Sequence, residues 1–343
     1  MKKEISIIIP VYNGASHIKR CIDSVLSQDY IGCQIIIVDD GSTDDTLEIC
    51  YNTVGQNKYF VILHQENQGV SAARNTGLTY AKKEWTYFLD ADDELDTDAL
   101  EYMRTVADSS YEWIIMNYRK HVEGTEKIFF GSDISQNEKI YYSKAGFAEL
   151  LNSGLFMYPC GKLYKTAIIK KHEICFPLNI VYGEDIRFNL LYFCYVEKYR
   201  IDPFSAFIYH IRQGEGAGSA YYENAYQMQM DIDEEILKKV YGSYKLDRQT
   251  LQEINQYFFK QGINIAFAYL TIWKQLPFKK RYHEIQKIMK DTRFKLFMKQ
   301  EWESGRLHKI DYFLLRNEQF FIYYGVHVLY VLCKKVIQRG KEK

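Results

Sequence analysis

Short apolar runs and stretches of helical periodicity alternate along the first third of the chain. Four apolar runs predict buried strands at Ile5–Ile9, Gln34–Val38, Phe60–Leu63 and Trp85–Leu89. Between them, apolar residues recur every three or four positions and predict amphipathic helices near residues 18–26, 47–54 and 71–81. Ser42 or Thr43 is the expected N-cap of the second helix. This alternation indicates a mostly parallel sheet with helices on both faces.

The hydrophobic pattern changes twice further along the chain. Beyond residue 110 it is mixed, with a strand-like run at Trp113–Met116 and a helix near Lys144–Leu151. After about residue 225, helical spacing continues over a long segment that we expect to break at Pro277. We therefore predict an α/β domain over residues 1–225, with halves at 1–110 and 111–225, and a helical region over residues 226–343.

The run Phe320–Cys333 is almost entirely apolar or aromatic. As a helix it is about 21 Å long, at 1.5 Å per residue, and so too short to cross a bilayer core of ~30 Å. A basic tail follows, with Lys334, Lys335, Arg339, Lys341 and Lys343. Two interpretations stay open. The helix packs into the helical region, or it attaches to the surface of an anionic membrane without crossing it.

Composition narrows the choice of protein class. Of the 343 residues, 47% are hydrophobic and 26% are charged, which is typical of globular proteins. The net charge is zero, so no overall field favours nucleic acid as a partner. Seven cysteines are scattered without a Cys-x-x-Cys pair, and the N-terminal apolar run stops at Pro10, too early for a signal peptide. These features predict reduced thiols and a cytoplasmic protein.

Polar and acidic residues follow three of the predicted strands, at Pro10–Asn13, Asp39–Ser42 and Asp90–Asp93. The carboxyl ends of parallel strands share one edge of a sheet, and ligands bind there. Asp90 and Asp92 can both turn toward one Mg²⁺ or Mn²⁺ ion that also binds phosphate oxygens. A solvated acidic loop is the alternative interpretation. A calcium loop also fits the acidic spacing from residue 90 to 101, but Leu95 occupies its glycine position.

The segment Gly69–Asn75 opens a predicted helix and contains Arg74. The amino end of a helix favours anions, and the arginine fork suits phosphate. Four segments then carry a resemblance: Ile7–Asn13 (IIIPVYN), Ile36–Thr43 (IIVDDGST), Gly69–Gly77 (GVSAARNTG) and Phe88–Asp93 (FLDADD). In this order and spacing they resemble the nucleotide-binding half of family 2 glycosyltransferases. These are inverting enzymes of the GT-A fold, and bacterial members build capsule, exopolysaccharide and lipopolysaccharide.

The resemblance implies a role for each matching residue in the first half. Pro10 and Tyr12 line the pocket of the nucleobase, and Asp40, together with Asp39, reads the base. Arg74 lies near the diphosphate. The Asp-x-Asp motif supplies Asp90 for the ribose and Asp92 for the metal ion, Mn²⁺ or Mg²⁺, that bridges the diphosphate.

The second half resembles the same family more loosely. Pro159–Lys165 (PCGKLYK) and Phe176–Asp185 look like the acceptor-side segment of capsule-type members. There an acidic pair supplies the catalytic base, which maps to Asp185 with Glu184 beside it. Ile208–Ser219 resembles their Tyr-x-Arg-rich loop, but His210 stands where an arginine is frequent. The Gln-x-x-Arg-Trp signature of processive synthases is absent from the sequence, which favours single transfer.

The resemblance implies transfer of a sugar from a nucleotide-diphosphate sugar, most simply a UDP-sugar, to a hydroxyl of a glycan acceptor. A lipid-linked acceptor in cell-surface polysaccharide synthesis is the expectation, with the protein in the cytoplasm at the inner face of the membrane. A nucleotidyltransferase needs a basic glycine-rich loop after the first strand, and a dehydrogenase needs Gly-x-Gly-x-x-Gly there; both are missing. A non-catalytic sugar-nucleotide-binding or scaffold protein stays the alternative.

Overall fold

The computed structural model describes residues 3–108, 110–125, 128–132, 134, 137–180, 182–211, 221–242 and 248–328. The chain divides into two compact units. The first, here called the sheet unit, comprises residues 1–215 and 236–240. The second, the helical unit, comprises residues 216–235 and 241–343.

Within the described ranges, the strands of the sheet unit join in a single mixed sheet. They are β1 (Ile5–Val11), β2 (Gln34–Asp39), β3 (Phe60–His64), β4 (Trp85–Phe88), β5 (Glu94–Leu95), β6 (Trp113–Val122), β7 (Ile128–Phe130), β8 (Lys139–Tyr142), β9 (Lys162–Lys165) and β10 (Lys198–Ile211). Their order is β3-β2-β1-β4-β9-β6-β10-β5, with β7 beside β6 and β8 beside β10. The strands β3, β2, β1 and β4 are mutually parallel, as predicted.

The hydrophobic periodicity did not predict the strand order or strand directions in the second half of the sheet. Strand β9 lies between β4 and β6 and is antiparallel to both, while β10 runs parallel to β6. All seven residues of β1 are buried, because helices cover both faces of this part of the sheet. The continuous apolar runs of the first strands are the sequence signature of that burial.

The helices follow in chain order. They are α1 (Ile18–Leu26), α2 (Thr46–Val54), α3 (Val70–Tyr80), α4 (Ala99–Val106), α5 (Phe147–Ser153), α6 (Thr166–Lys171), α7 (Glu184–Phe193), α8 (Ala225–Ile236), α9 (Arg248–Thr271), α10 (Phe278–Lys290), α11 (Thr292–Glu303) and α12 (Lys309–Arg316). Short helical turns occur at Leu155–Met157 and Leu237–Tyr241. The expected break at Pro277 comes earlier: α9 ends at Thr271, and Pro277 is the N-cap of α10.

Residues 320–328 are helical and belong to the helical unit. Phe320 and Tyr323 are buried in its apolar core, whereas Ile322, Val326 and Val328 are exposed. The described part of the C-terminal run is therefore packed on one face only. The rest of that run and the basic tail lie outside the described residues. In the described ranges, no helix combines the length and apolarity needed to traverse a bilayer.

Candidate active site

The polar strand ends meet at one edge of the sheet, as the sequence predicts. The Asp40 amide donates to the Val11 carbonyl at 2.8 Å, which joins the end of β2 to the end of β1. The Leu89 amide donates to the Ile8 carbonyl at 3.0 Å and joins β4 to β1 in the same way. The loops that follow β1, β2 and β4 therefore start side by side.

A cavity of about 290 Å³ opens between the first two of these loops and the start of α3. Its lining residues are Pro10, Val11, Tyr12, Asp40, Asn67, Gly69, Val70 and Ala73. Tyr12 and Val70 are exposed, so a flat ring can enter between largely apolar walls that carry a few polar groups. Three of the residues predicted to bind the nucleotide, Pro10, Tyr12 and Asp40, share this cavity.

Asp40 is buried, and its carboxylate closes the loop before α3. It accepts hydrogen bonds from the Gln65 side chain at 2.7 Å, the Gln68 amide at 3.1 Å and the Gly69 amide at 2.7 Å. Gly41 follows with φ of +78°, and a Cβ atom there would lie 2.7 Å from the Asn67 amide nitrogen. A carboxylate has about four lone-pair sites. Three are used by the protein, which leaves one for a further donor.

Asp39 lies behind the cavity and is not one of its lining residues. Its side chain is fully buried, with Oδ2 2.7 Å from the Nδ1 atom of His64. Oδ2 also accepts from the Ser42 amide at 3.3 Å, while Oδ1 has no hydrogen-bond partner among the described residues. The two adjacent aspartates therefore differ in position, because Asp40 lines the cavity and Asp39 does not.

Arg74 links two carboxylates that the sequence assigned to different halves of the site. It lies in the second turn of α3 and is buried. One guanidinium nitrogen donates to Asp90 at 2.9 Å and another to Asp185 at 2.7 Å. Burial opposes the charge, but the attraction of Asp185 and Asp90 outweighs it and raises the pKa of Arg74. The ring of Phe176 lies 5.2 Å from the guanidinium carbon and covers it on one side.

Asp185 lies in the first turn of α7, directly after Glu184, and 22% of its side chain is exposed. Burial raises its pKa to about 7, because the charged form loses solvation. Arg74 and Lys162 act in the opposite direction, whereas Glu184 and Asp90 add to the rise. A carboxylate of this kind can accept a proton near neutral pH.

The loop Asp90–Asp93 concentrates negative charge. Asp92 is half-buried, and Asp93 is buried beside it. Burial raises the pKa of Asp93 well above its usual value, and the charges of Asp90 and Asp92 raise it further. No group of three or more His, Cys, Asp or Glu side chains in the described ranges is arranged to hold a metal ion alone. The loop fits a cation that takes most of its ligands from a diphosphate and water, as Mg²⁺ does.

The sequence analysis missed Lys162, which lies on β9 and is fully buried. Its ammonium donates to the Cys160 carbonyl at 3.0 Å and to the Tyr158 carbonyl. Burial lowers its pKa to about 7, while Cys160 and Asp185 act to raise it. A lysine in a strand has no sequence signal of burial, and the resemblance covered the segment PCGKLYK without giving Lys162 a role.

This mixed sheet, with a cavity and an acidic loop at one edge, is the arrangement of the GT-A fold. Residues 6–173 match the family described as Glycosyl transferase family 2. They are therefore a glycosyl transferase family 2 domain, which confirms the resemblance seen in the four segments.

Curated relatives support the family. "Putative glycosyltransferase EpsH" of Bacillus subtilis is 34% identical over 179 residues, which cover 51% of this chain and 51% of that protein. "Glycosyltransferase GlyG" of Streptococcus pneumoniae serotype 4 is 33% identical over 180 residues, or 50% of this chain and 60% of the relative. "Glycosyltransferase GlyA" of the same organism is 31% identical over 218 residues, or 62% and 31%. The chain thus spans between about a third and three fifths of these relatives.

Solved structures support the fold over nearly the whole chain. The structure described as S. aureus TarS 1-349 in complex with UDP-GlcNAc aligns with a TM-score of 0.65 at 20% identity. The alignment covers 96% of this chain and 92% of that one. The predicted GT-A fold with a helical C-terminal region is confirmed.

Proposed function

We propose that this chain is an inverting, metal-dependent glycosyltransferase that uses a nucleotide-diphosphate sugar, most simply a UDP-sugar, as its donor. The observation that carries the proposal is the position of Arg74, which is buried and held between Asp90 and Asp185. The nucleotide-sized cavity lies on the same helix, through Val70 and Ala73. A relative's structure described as a complex with UDP-GlcNAc supports the class of donor.

The nucleotide occupies the cavity in this proposal. The base stacks between Tyr12 and Val70 and donates a hydrogen bond to the remaining lone pair of Asp40. Pro10 lines the floor, and Asp90 binds the ribose. Asp39 acts from behind the cavity by fixing the turn at Ser42 rather than by touching the base, since it does not line the cavity.

A divalent ion, Mn²⁺ or Mg²⁺, is held by Asp92 in this proposal, with Asp90 close by. When bound, such an ion neutralises charge on the departing diphosphate. The charges of Asp90 and Asp92 support the assignment, because they add to the effect of burial in raising the pKa of Asp93 and so show negative charge gathered at this loop. Arg74 adds a positive charge from the opposite side and contacts the diphosphate in a site shielded from water.

The transfer itself is a single displacement. The acceptor hydroxyl oxygen attacks the anomeric carbon and forms the new glycosidic bond, while the bond from that carbon to the diphosphate oxygen breaks. Asp185 accepts the hydroxyl proton, and the nucleoside diphosphate leaves with the electron pair. Arg74 holds the Asp185 carboxylate in place at 2.7 Å, so its basic oxygen is oriented before the acceptor arrives. Glu184 is the second choice for the base.

The acceptor in this proposal is a glycan, lipid-linked, in bacterial cell-surface polysaccharide synthesis at the cytoplasmic face of the membrane. The name of one relative describes sugar transfer to a polymer. "Poly(ribitol-phosphate) beta-N-acetylglucosaminyltransferase TarS" of Staphylococcus aureus is 27% identical over 264 residues. Peripheral membrane contact would use the exposed apolar side chains Ile322, Val326 and Val328 and the basic tail beyond them.

A panel of sugar nucleotides tests the proposal, with thermal shift measured with and without Mn²⁺. A donor at 100 times its dissociation constant adds about 2.7 kcal/mol of apparent stability. The best donor is then incubated with and without candidate acceptors, and release of the nucleoside diphosphate is measured. Binding of a sugar nucleotide without hydrolysis or transfer under any condition would favour the scaffold alternative. Binding of no sugar nucleotide at all would reject the proposal.

A further inference from the structure

α1 and the residues just after it carry four polar side chains that contact the acidic loop and the residues that follow it. Arg20 and Ser24 are spaced by four residues and so lie above one another along the helix, and Gln28 follows two residues beyond the helix end at Leu26. Cys21 lies beside Arg20. Cys21 Sγ donates to the Asp90 carbonyl at 3.6 Å, and Arg20 donates to the Asp92 carbonyl at 2.8 Å. Ser24 accepts a hydrogen bond from the Leu95 amide at 2.9 Å. The Gln28 side chain donates to the Asp96 carbonyl at 3.0 Å and accepts from the Leu100 amide at 2.9 Å.

Arg20 makes the contact closest to the proposed cation. Its Nη2 donates to the backbone carbonyl of Asp92, and its Nη1 donates to Glu123 at 3.2 Å. Its Nε lies 3.3 Å from Glu94. The guanidinium is planar and rigid, so hydrogen bonds to Asp92 and Glu123, together with the nearby Glu94 carboxylate, fix its direction. Glu94 and Glu123 balance its charge, so Arg20 can hold the backbone of the loop without adding a net positive charge there.

The other side of the loop is held by β10. The His210 amide donates to the Asp93 carboxyl at 3.1 Å, and His210 Nε2 lies 2.6 Å from Glu94. His210 Nδ1 lies 3.1 Å from the Nδ1 atom of His121, whose Nε2 contacts the Thr125 carbonyl at 2.9 Å. The loop is thus tethered from α1 and from β10, with Glu94 common to both.

We propose that Arg20 is a positioning residue that aims the Asp92 carboxylate at the divalent ion. This inference rests on the proposed function. The backbone carbonyl carbon and the side-chain Cβ atom of Asp92 are bonded to the same Cα atom, so a hydrogen bond that fixes the carbonyl restricts the backbone rotation that would carry the side chain away. A site with one or two protein carboxylates depends strongly on their direction. Partners outside the ligand shell typically contribute 10–100-fold in metal affinity.

The test measures metal binding directly, without catalysis. Mn²⁺ is titrated into the full chain at a fixed concentration of UDP, and free Mn²⁺ is followed by electron paramagnetic resonance. We expect Arg20→Gln to raise the apparent dissociation constant of Mn²⁺ by about 10–100-fold. Arg20→Lys keeps the charge but cannot span the carbonyl and both glutamates, so we expect an intermediate value. In turnover assays, excess Mn²⁺ should restore the activity of Arg20→Gln.

Arg104 on α4 offers a matched control. It donates to the carbonyls of Asp29 and Ile31, both at 2.7 Å, and lies 3.4 Å from the Asp29 carboxylate. Like Arg20, Arg104 therefore fixes a loop by donating to backbone carbonyls, but this loop, at residues 29–31, is not the acidic loop. We expect Arg104→Gln to lower the thermal midpoint and to leave Mn²⁺ affinity unchanged.

The outcomes separate this inference from the proposed function. Wild-type protein whose UDP binding is independent of Mn²⁺ would reject the metal role, and the positioning role with it. Wild-type protein with Mn²⁺-dependent binding, but Arg20→Gln within twofold of its affinity, would reject the positioning role alone. If Arg20→Gln fails to fold, Arg20→Lys decides the matter, because an unchanged affinity in that folded variant would also overturn the inference.

Discussion

Asp185 and Arg74 form the ion pair on which the proposed chemistry of the site depends. Burial raises the pKa of Asp185 to about 7, whereas the guanidinium of Arg74 favours its charged form. The side chain therefore changes protonation near the pH at which a general base is most effective. Neither residue can be judged alone, because substitution of Arg74 would release Asp185 as well as remove the proposed contact with the diphosphate.

We expect Asp185→Asn to lower kcat by 10²-fold or more and to leave the KM of the donor nearly unchanged, since an amide cannot accept the acceptor's proton. A base must be deprotonated to act, so wild-type kcat/KM should fall as the pH drops through about 7, following the raised pKa of Asp185. The variant should lose this limb of the pH profile. Near-normal turnover in Asp185→Asn would move the role to Glu184.

We expect Asp92→Ala to remove the Mn²⁺ dependence of sugar-nucleotide binding while the protein stays folded, because the side chain is half-buried and lies in a loop. Calorimetry of UDP binding with and without Mn²⁺ measures this. The far-ultraviolet circular dichroism spectrum should match that of the wild type. Donor binding that keeps its full response to Mn²⁺ would show that Asp92 does not hold the ion.

At the scale of elements, α3 packs unusually close to β1. Gly77 on α3 faces Ile8, and a Cβ atom at Gly77 would lie 2.4 Å from the Ile8 Cγ2 atom. Arg74 lies one turn before Gly77 on the same helix. The distance between helix and sheet at Gly77 therefore helps to set where Arg74 stands against Asp90.

We expect Gly77→Ala to lower the free energy of unfolding by about 1–3 kcal/mol, because Ile8 is fully buried and cannot move aside. It should also weaken UDP binding by displacing Arg74. Denaturant unfolding and calorimetry measure the two effects. Gly325 is the control, since nothing lies within 4 Å of a Cβ atom there and Gly325→Ala should be neutral or stabilising.

The elements of the first half were predictable because each is defined by local pattern. Buried parallel strands need unbroken apolar runs, and their carboxyl ends carried the polar residues of the site. The N-cap of α2 was predicted wrongly: the helix begins at Thr46, while the Ser42 side chain accepts from the Asn13 amide at 2.8 Å. The pairing of Arg74 with Asp185 joins positions far apart in sequence, and periodicity contains no information about it.

At the scale of the molecule, the helical unit contains a buried carboxyl group outside the candidate active site. Asp233 on α8 is buried in the helical unit, and Gln229 donates to its Oδ1 at 2.7 Å. Burial raises its pKa to about 8, and its Oδ2 has no hydrogen-bond partner among the described residues. Because of this raised pKa, we expect the stability of the helical unit to depend on pH.

The folded-state pKa of Asp233 exceeds the value of about 3.9 expected for an unfolded chain. Its stabilising effect is therefore complete below about pH 4 and is lost as the pH rises toward 8. We expect Asp233→Asn to raise the thermal midpoint at pH 8 by about 2–6 °C and to have less effect at pH 5. Asp231 is exposed and accepts from Gln227 at the same spacing, so Asp231→Asn is the matched control and should change neither.

Truncations of the C-terminal helix can test core packing and the proposed membrane attachment separately. Phe320 and Tyr323 lie 5.5 Å and 6.0 Å from the ring of Phe267, within the core. We expect a chain ending at Asn317 to aggregate, because it loses these rings, and a chain ending at Val328 to stay folded. Sedimentation with anionic vesicles at low salt then tests the membrane proposal. Equal sedimentation of the full chain and the chain ending at Val328 would exclude the basic tail as the anchor.

The contacts of His210 also connect the aspartate loop to a turn that is distant in sequence. His210 Nε2 lies 2.6 Å from Glu94, its Nδ1 atom lies 3.1 Å from Nδ1 of His121, and His121 Nε2 lies 2.9 Å from the Thr125 carbonyl. A continuous series of direct side-chain contacts therefore runs from the acidic loop to the turn at Thr125. A change in that turn can shift the loop without touching any of its aspartates.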